Sequence, residues 1–515
     1  MTQTVTAPDR TQISPSETGL TAMMRRRLVP LEQKVDPYGW LAVFGVVFIA
    51  ALLRLWNLAQ PNQEIFDEVY YANDANDMLT HFVEWDEKNN GPGYVVHPPL
   101  GKWMIALGIK AFHYDTFGWR ISAAVVGVIT IYMIIRITQR LFQSLILGCA
   151  AGLLMAFDGM HFVLSRTALL DMFLMVFVLA AFGAIVLDRD QSRRKWAKFI
   201  ESGGDPSGKG KASRPPITIP WWRLTAALLI GLGTGVKWSA LAFLPAMLIL
   251  VLWWEIGVRR SAGVRRPIVD ALLDEIGWLL LCAVIVFLAY LATWSGWFLT
   301  DTGYYRHWLR DSGRTELPVL GPLANLLEYH SAAFQFHIGL DDPHPYAAPA
   351  WTWLLLGRPV AFYFSKTVPC GAADCSAEVL LLGTPMLWWS FLPALAATLW
   401  FGVARRDWRA GAILVMAAFA LVPWFFFSSR TMFFFYALPA EPFLILAVVY
   451  VLGCIMTPPP GMPRDENRLV TGAVVAGFFV VVVALNFAYF YPIYAGESIP
   501  TASWVTRMWL NTRWI

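Results

Sequence analysis

Charge is what this sequence has least of. Only 15% of its 515 residues are Asp, Glu, Lys or Arg, where a soluble chain carries about a quarter. Beside 57% hydrophobic residues, that shortage excludes a soluble globular protein. Several apolar runs reach the roughly 20 residues that cross a bilayer. No basic region followed at once by an apolar core opens the chain, which excludes a secretory signal peptide. There is no Walker loop, no G-x-G-x-x-G and no His pair at zinc-ligand spacing. The net charge of +4 is spread over short loops, so nothing calls for nucleic acid. Cysteine is scarce too, with five in all. Cys149, Cys282 and Cys454 fall in apolar runs and are expected as membrane-embedded thiols. Cys370 and Cys375 stand as C-x4-C in a polar loop. They pair as a disulfide if that loop lies outside; a metal pair fits less well, because no His or further Cys sits close by.

What is there is a series of spans. The apolar runs predict eleven, at about 38–59, 119–138, 143–158, 167–187, 222–236, 239–256, 276–298, 384–403, 410–427, 432–454 and 469–491. The fold class is therefore an all-α polytopic membrane protein. Lys and Arg cluster in 25–34, at Arg136 and Arg140, in 189–214, 259–266 and 405–409, and at Arg464 and Arg468. With the N-terminus cytoplasmic, every cluster falls on the inner side. An odd number of spans then puts the tail 492–515 outside. Residues 1–37 read as a disordered cytoplasmic tail and the Gly/Ser/Lys-rich stretch 188–221 as a flexible cytoplasmic linker. The stretch 222–256 is long for one helix and short for two. Parity requires two, with Gly231, Gly233 and Gly235 marking the break and Lys237 near the turn. Two outer loops are large, 60–118 and 299–383. In the first, Leu100–Phe112 is too short to span and is expected as an amphipathic helix at the interface.

The candidates for chemistry gather on the outer side. Asp67 and Glu68 follow the first span almost at once, where a lipid headgroup would lie. Neighbouring residues point in different directions, so one could deprotonate an acceptor while the other positions it; ordinary solvated loop acids would look the same. Asp171 lies in an apolar helix, where an ionisable residue faces a cavity or a partner. Arg166 is the candidate partner, and a structural ion pair fits equally. Arg120, Lys237 and Arg430 fall at outer ends of spans, against the positive-inside bias. They suit a lipid-linked phosphate or ordinary snorkelling to headgroups. His97-Pro-Pro-Leu-Gly-Lys102 is rigid and then helical, and His344-Pro-Tyr346 is similar in style.

Taken in order, Phe66-Asp-Glu-Val-Tyr-Tyr, His97-Pro-Pro-Leu-Gly-Lys, Phe117-Gly-Trp-Arg, Ser165-Arg-Thr-Ala-Leu-Leu-Asp, Val236-Lys-Trp and His344-Pro-Tyr…Trp351-Thr-Trp resemble the protein O-mannosyltransferase family in its bacterial, actinobacterial form. The outer loop 299–383 is too short for the MIR domain that eukaryotic members insert there. The resemblance implies a GT-C glycosyltransferase fold in the plasma membrane, with the active site on the extracytoplasmic face. It implies transfer of mannose from a polyprenyl phosphate mannose donor to Ser or Thr of secreted or membrane proteins, during translocation. It also implies Asp67 as the essential acid, assisted by Glu68. Donor phosphate binding is then expected of Arg120, Lys237 and Arg430, with His97, Lys102, Arg166, Asp171, His344 and Tyr346 as further site candidates. A lipid monophosphate leaves as a stable anion, so no obligatory metal is expected. The rivals are another GT-C lipid-phosphate-sugar transferase, acting on a glycan or lipid, and a non-enzymatic transporter.

Overall fold

Several long helices start or stop on a local signal. Asp115 accepts from the Gly118 N–H at the start of Thr116–Phe142, and Ser144 from the Leu147 N–H at the start of Leu145–Ala156. Pro267 and Pro385 occupy the first turn of Pro267–Thr293 and Pro385–Arg405. Gly263 closes Phe243–Ala262 in the left-handed conformation. The computed structural model describes residues 28–31, 37–208, 210–318, 320–458, 463 and 465–514. The expected tail 1–37 lies almost wholly outside the described residues, and Arg464 does too.

Nine helices among the described residues are long and apolar enough to cross a membrane. The two remaining expected spans are shorter, the 12-residue Leu145–Ala156 and the 16-residue Trp221–Val236. Each still joins the same two layers as its neighbours. Arg409 donates to the Leu141 carbonyl just before Leu145–Ala156 begins, and Arg54, in the last turn of Pro37–Leu55, donates to the Ala156 carbonyl where it ends. At one end of Trp221–Val236, Arg223 is buried against Asp188, Glu255 and Glu275. At its other end Lys237 reaches Asp171, in the first turn of Leu170–Glu201. The glycines expected to break this helix lie inside it. A Cβ on Gly231 would stand 2.6 Å from the Val286 carbonyl, so the glycine admits the neighbouring helix. The turn comes at Lys237, which is extended, with φ −154° and ψ 134°.

Two boundaries differ from the sequence reading. Helix Leu170–Glu201 runs well into the expected linker, because Trp196 is buried with Val258 and Ala262; only its Gly/Ser-rich end is irregular. The final helix, Glu466–Ala495, takes in the start of the expected tail. The expected all-α class is also corrected, because the chain is not purely helical. Val360–Ser365, Cys375–Leu381 and Ser498–Pro500 form a three-stranded antiparallel sheet in that order. The first carries three aromatic residues, the second is buried along its whole length, and a disulfide ties Cys370 of their connecting loop to Cys375 at the start of the second. Cys149, Cys282 and Cys454 are free thiols. Leu100–Phe112 is a helix, with Ile105, Ala106 and Ile109 buried and Leu107 exposed.

Candidate active site

The loop after the first span turns on Phe66. Its φ is +50°, a conformation uncommon for an aromatic residue. The Phe66 ring is stacked on Phe362, with centroids 4.4 Å apart. That stack sets the turn from which helix Glu68–His81 starts, with Asp67 at its N-terminal boundary.

Adjacent carboxylates then meet opposite fates. Glu68 is fully buried. It accepts from Arg120 Nε at 2.8 Å and Nη2 at 2.7 Å, from the Ile65 N–H at 3.1 Å and from the Ala168 N–H at 2.9 Å. Arg120 spends its remaining N–H groups on the carbonyls of Leu58, Pro61 and Gln63. A guanidinium has five N–H donors, and all of Arg120's are used inside the protein. Two expectations are corrected here. Arg120 has no donor left for a phosphate, and Glu68 has no free face for an acceptor. Together they clamp the loop.

Asp67 makes no side-chain hydrogen bond among the described residues. Burial pushes its carboxyl up to about 6, Lys237 nearby pulls it down, and Asp171 adds a smaller upward push. An acid in that range is suited to proton transfer near neutral pH.

Beyond Asp67 opens a cavity of about 270 Å³. Lys237 Nζ lies 3.0 and 2.9 Å from the two oxygens of Asp171. The Tyr436 ring faces two cations, with Lys237 at 5.0 Å and Arg430 at 5.7 Å from its centroid. Arg430 donates to His337 Nδ1 across 3.4 Å, and its buried Nε has no partner among the described residues. His337 donates from Nε2 to the Val96 carbonyl at 3.0 Å. Burial holds His337 down at about 4, so it is neutral and can accept from Arg430. Apart from His97 and Ser239, the rest of the wall is apolar, including Leu174, Phe243, Phe334, Trp424 and Phe427. Cations at one end of an apolar cavity suit an anionic headgroup on a hydrocarbon chain.

Of the sequence candidates, Lys237, Arg430, Asp171 and His97 line this cavity, and Asp67 lies within electrostatic reach of the first and third. The others do not join them. Lys102 is fully buried against Glu84 and Asp74. Arg166 caps the first span by donating to the carbonyls of Leu53, Arg54, Trp56 and Asn57. The partner of Asp171 is thus Lys237, because the helix carrying Trp221–Val236 ends beside it. His344 lies outside the cavity, edge-on to Phe433 at 4.9 Å, and Tyr346 packs beside Arg358. The sequence reading missed Tyr71, His337 and Tyr436. Tyr71 was within reach, since it stands four residues after Asp67 and so shares its helix face. Nothing local marked His337. Among the described residues, no three His, Cys, Asp or Glu side chains gather as a metal-binding group.

Two family models match the chain. Residues 45–203 match "Dolichyl-phosphate-mannose-protein mannosyltransferase", and residues 322–514 match "C-terminal four TMM region of protein-O-mannosyltransferase". A polyprenol-phosphate-mannose–protein mannosyltransferase of Mycolicibacterium smegmatis is 38% identical over 92% of this chain and 92% of its own. Its counterpart in Mycobacterium tuberculosis is 36% identical over 92% and 91%. That of Corynebacterium glutamicum is 31% identical over 92% and 93%. Among solved structures, the sugar-donor-bound Pmt1-Pmt2 protein O-mannosyltransferase complex of S. cerevisiae aligns over 97% of this chain and 94% of its own, with a TM-score of 0.69 at 15% identity. An Archaeoglobus fulgidus oligosaccharyltransferase aligns over 90% and 57%, at 0.52 and 13%. At such identities the likeness is one of fold.

Proposed function

The chain belongs to the protein O-mannosyltransferase family, and from that premise we propose how its own residues divide the reaction. It is a multi-pass membrane glycosyltransferase of the GT-C fold, using a polyprenyl-phosphate mannose donor. The transporter alternative ends with that assignment.

In the proposed step, the acceptor is a Ser or Thr hydroxyl of a secreted or membrane polypeptide, met on the extracytoplasmic face of the plasma membrane. Asp67 takes the hydroxyl proton. The acceptor oxygen bonds to mannose C1 as the bond from C1 to the phosphate oxygen breaks, with inversion. The electron pair leaves on the lipid phosphate. That leaving group is already a stable anion, so it calls for cations rather than a strong acid. Arg430 supplies a guanidinium with an unspent Nε, and Lys237 supplies an ammonium. Glu68 and Arg120 act through the loop, keeping Asp67 in place. The expectation of no obligatory divalent ion rests on the donor being a monophosphate rather than a diphosphate.

The observation that carries this reading is the unpartnered Asp67 carboxylate, raised to about 6 beside a cavity that joins cations to apolar walls. The test is transfer from polyprenyl-phosphate mannose to a Ser/Thr-rich peptide, by wild type and Asp67→Asn in the same lipid. Wild type is expected to transfer and the variant to lose transfer. Undiminished transfer by the variant would overturn the role of Asp67. A wild type inactive with this donor would overturn the substrate.

A further inference from the structure

His97 lines the cavity, and the proposed step has no use for it. Neither of its ring nitrogens makes a hydrogen bond among the described residues, and Nδ1 is buried without a partner. Buried polar atoms in folded proteins are nearly always paired, and an unpaired one costs about 1–3 kcal/mol. The position is not loose. The Val96 carbonyl before it takes the N–H of His337. Pro98 and Pro99 follow it and lead into helix Leu100–Phe112. Its ring lies between Tyr71, 6.2 Å away, and His337, 5.2 Å away. A rigidly held imidazole with both nitrogens unspent, in the wall of a cavity, calls for a ligand.

The chemistry of that ligand follows from the charge state. Burial, then the nearby cations Lys237, Lys102 and Arg430, together with His337, hold His97 well below its ordinary value. It is therefore neutral, with one donor and one acceptor nitrogen. A phosphate can only accept, and the same cavity already provides Arg430 and Lys237 for it. A sugar hydroxyl both donates and accepts, which matches a neutral imidazole. We propose that His97 recognises the hexosyl part of the lipid-linked donor by hydrogen bonding to a sugar hydroxyl, next to the cations that hold the phosphate. The proposal rests on the mannosyltransferase reading and adds a sugar-recognising residue to it.

Binding to the full-length purified protein in lipid nanodiscs separates the two parts of the donor. The ligands are polyprenyl-phosphate mannose and polyprenyl phosphate without the sugar. The proteins are wild type, His97→Ala and His97→Gln. Losing a hydrogen bond to a buried neutral group predicts roughly tenfold weaker binding of the mannosyl lipid by His97→Ala. Its affinity for bare polyprenyl phosphate should stay within about twofold of wild type, which also verifies that the variant is folded. Gln offers both a donor and an acceptor, so His97→Gln should recover part of the loss. Equal weakening for both lipids, or none for either, would overturn the sugar contact. If wild type bound neither lipid, the mannosyltransferase reading would fall and this proposal with it.

Discussion

Glu68→Gln should unfold the enzyme more easily before it slows the chemistry. The Glu68 carboxylate accepts four hydrogen bonds, two from Arg120 and two from backbone N–H groups. An amide keeps one accepting oxygen and turns an NH₂ toward donors that now have nothing to give to. Arg120 keeps its charge with side-chain exposure of 0%, supported only by the carbonyls of Leu58, Pro61 and Gln63. Removing one partner of a buried pair costs roughly 3–5 kcal/mol, which lowers the melting temperature of a chain this size by several degrees. Asp67→Asn is the control in the neighbouring position. It gives up no hydrogen bond and removes a charge that burial disfavours, so its melting temperature should match or exceed wild type while transfer is lost. The assay is thermal unfolding of wild type, Glu68→Gln and Asp67→Asn in one detergent. Mannose transfer is measured alongside, well below the lowest melting point. Glu68→Gln should melt early yet retain transfer when cold. If it melted with wild type and lost transfer as fully as Asp67→Asn, Glu68 would belong at the reacting atoms and the clamp would be wrong.

A carboxyl raised to about 6 gives kcat/KM an acid limb near pH 6, with transfer rising as Asp67 loses its proton; a limb near the ordinary carboxylate range would refute the shift. The stability sign runs the other way. The raised value favours the folded state below the ordinary Asp range, and that contribution is lost as pH rises through about 6. Asp67→Asn should erase this step from the melting temperature against pH. Arg430→Ala should raise the KM for the donor about tenfold or more with melting unchanged, since a charge-assisted hydrogen bond contributes about 1.5–3 kcal/mol; an unaltered KM would remove Arg430 from the phosphate site. An impermeant maleimide on intact cells should label the half-buried Cys370 only after reduction, and should label Cys370 in Cys375→Ser without it. No labelling after reduction would place the large loop inside.

The sequence carried the layout better than the contacts. Apolar runs and basic clusters are local, so spans, the turn at Lys237 and the short helix Leu100–Phe112 could be read one segment at a time. A cation at an outer helix end, by contrast, looks the same whether it awaits a phosphate or clamps a loop. Arg120 and Arg430 both end a span, yet Arg120 clamps a loop and Arg430 faces the cavity. The difference lies in where the carbonyls of 58–63 fall, which only the folded loop determines. Arg166 and Lys237 illustrate the same limit. Arg166 is nearer to Asp171 in sequence, but the ion pair went to the residue that a distant helix end brought alongside. His337 left no trace, because its part depends on contacts with Val96 and Arg430, far away in the chain.

The three-stranded sheet sets an order on the enzyme's assembly. Phe362, which stacks on Phe66, lies on its first strand, and the second strand stands between that strand and Ser498–Pro500. The ribosome makes Ser498–Pro500 only after every long helix described here. Until that segment has docked, the second strand has one open edge. The turn that carries Asp67, made early, therefore leans on a sheet completed late.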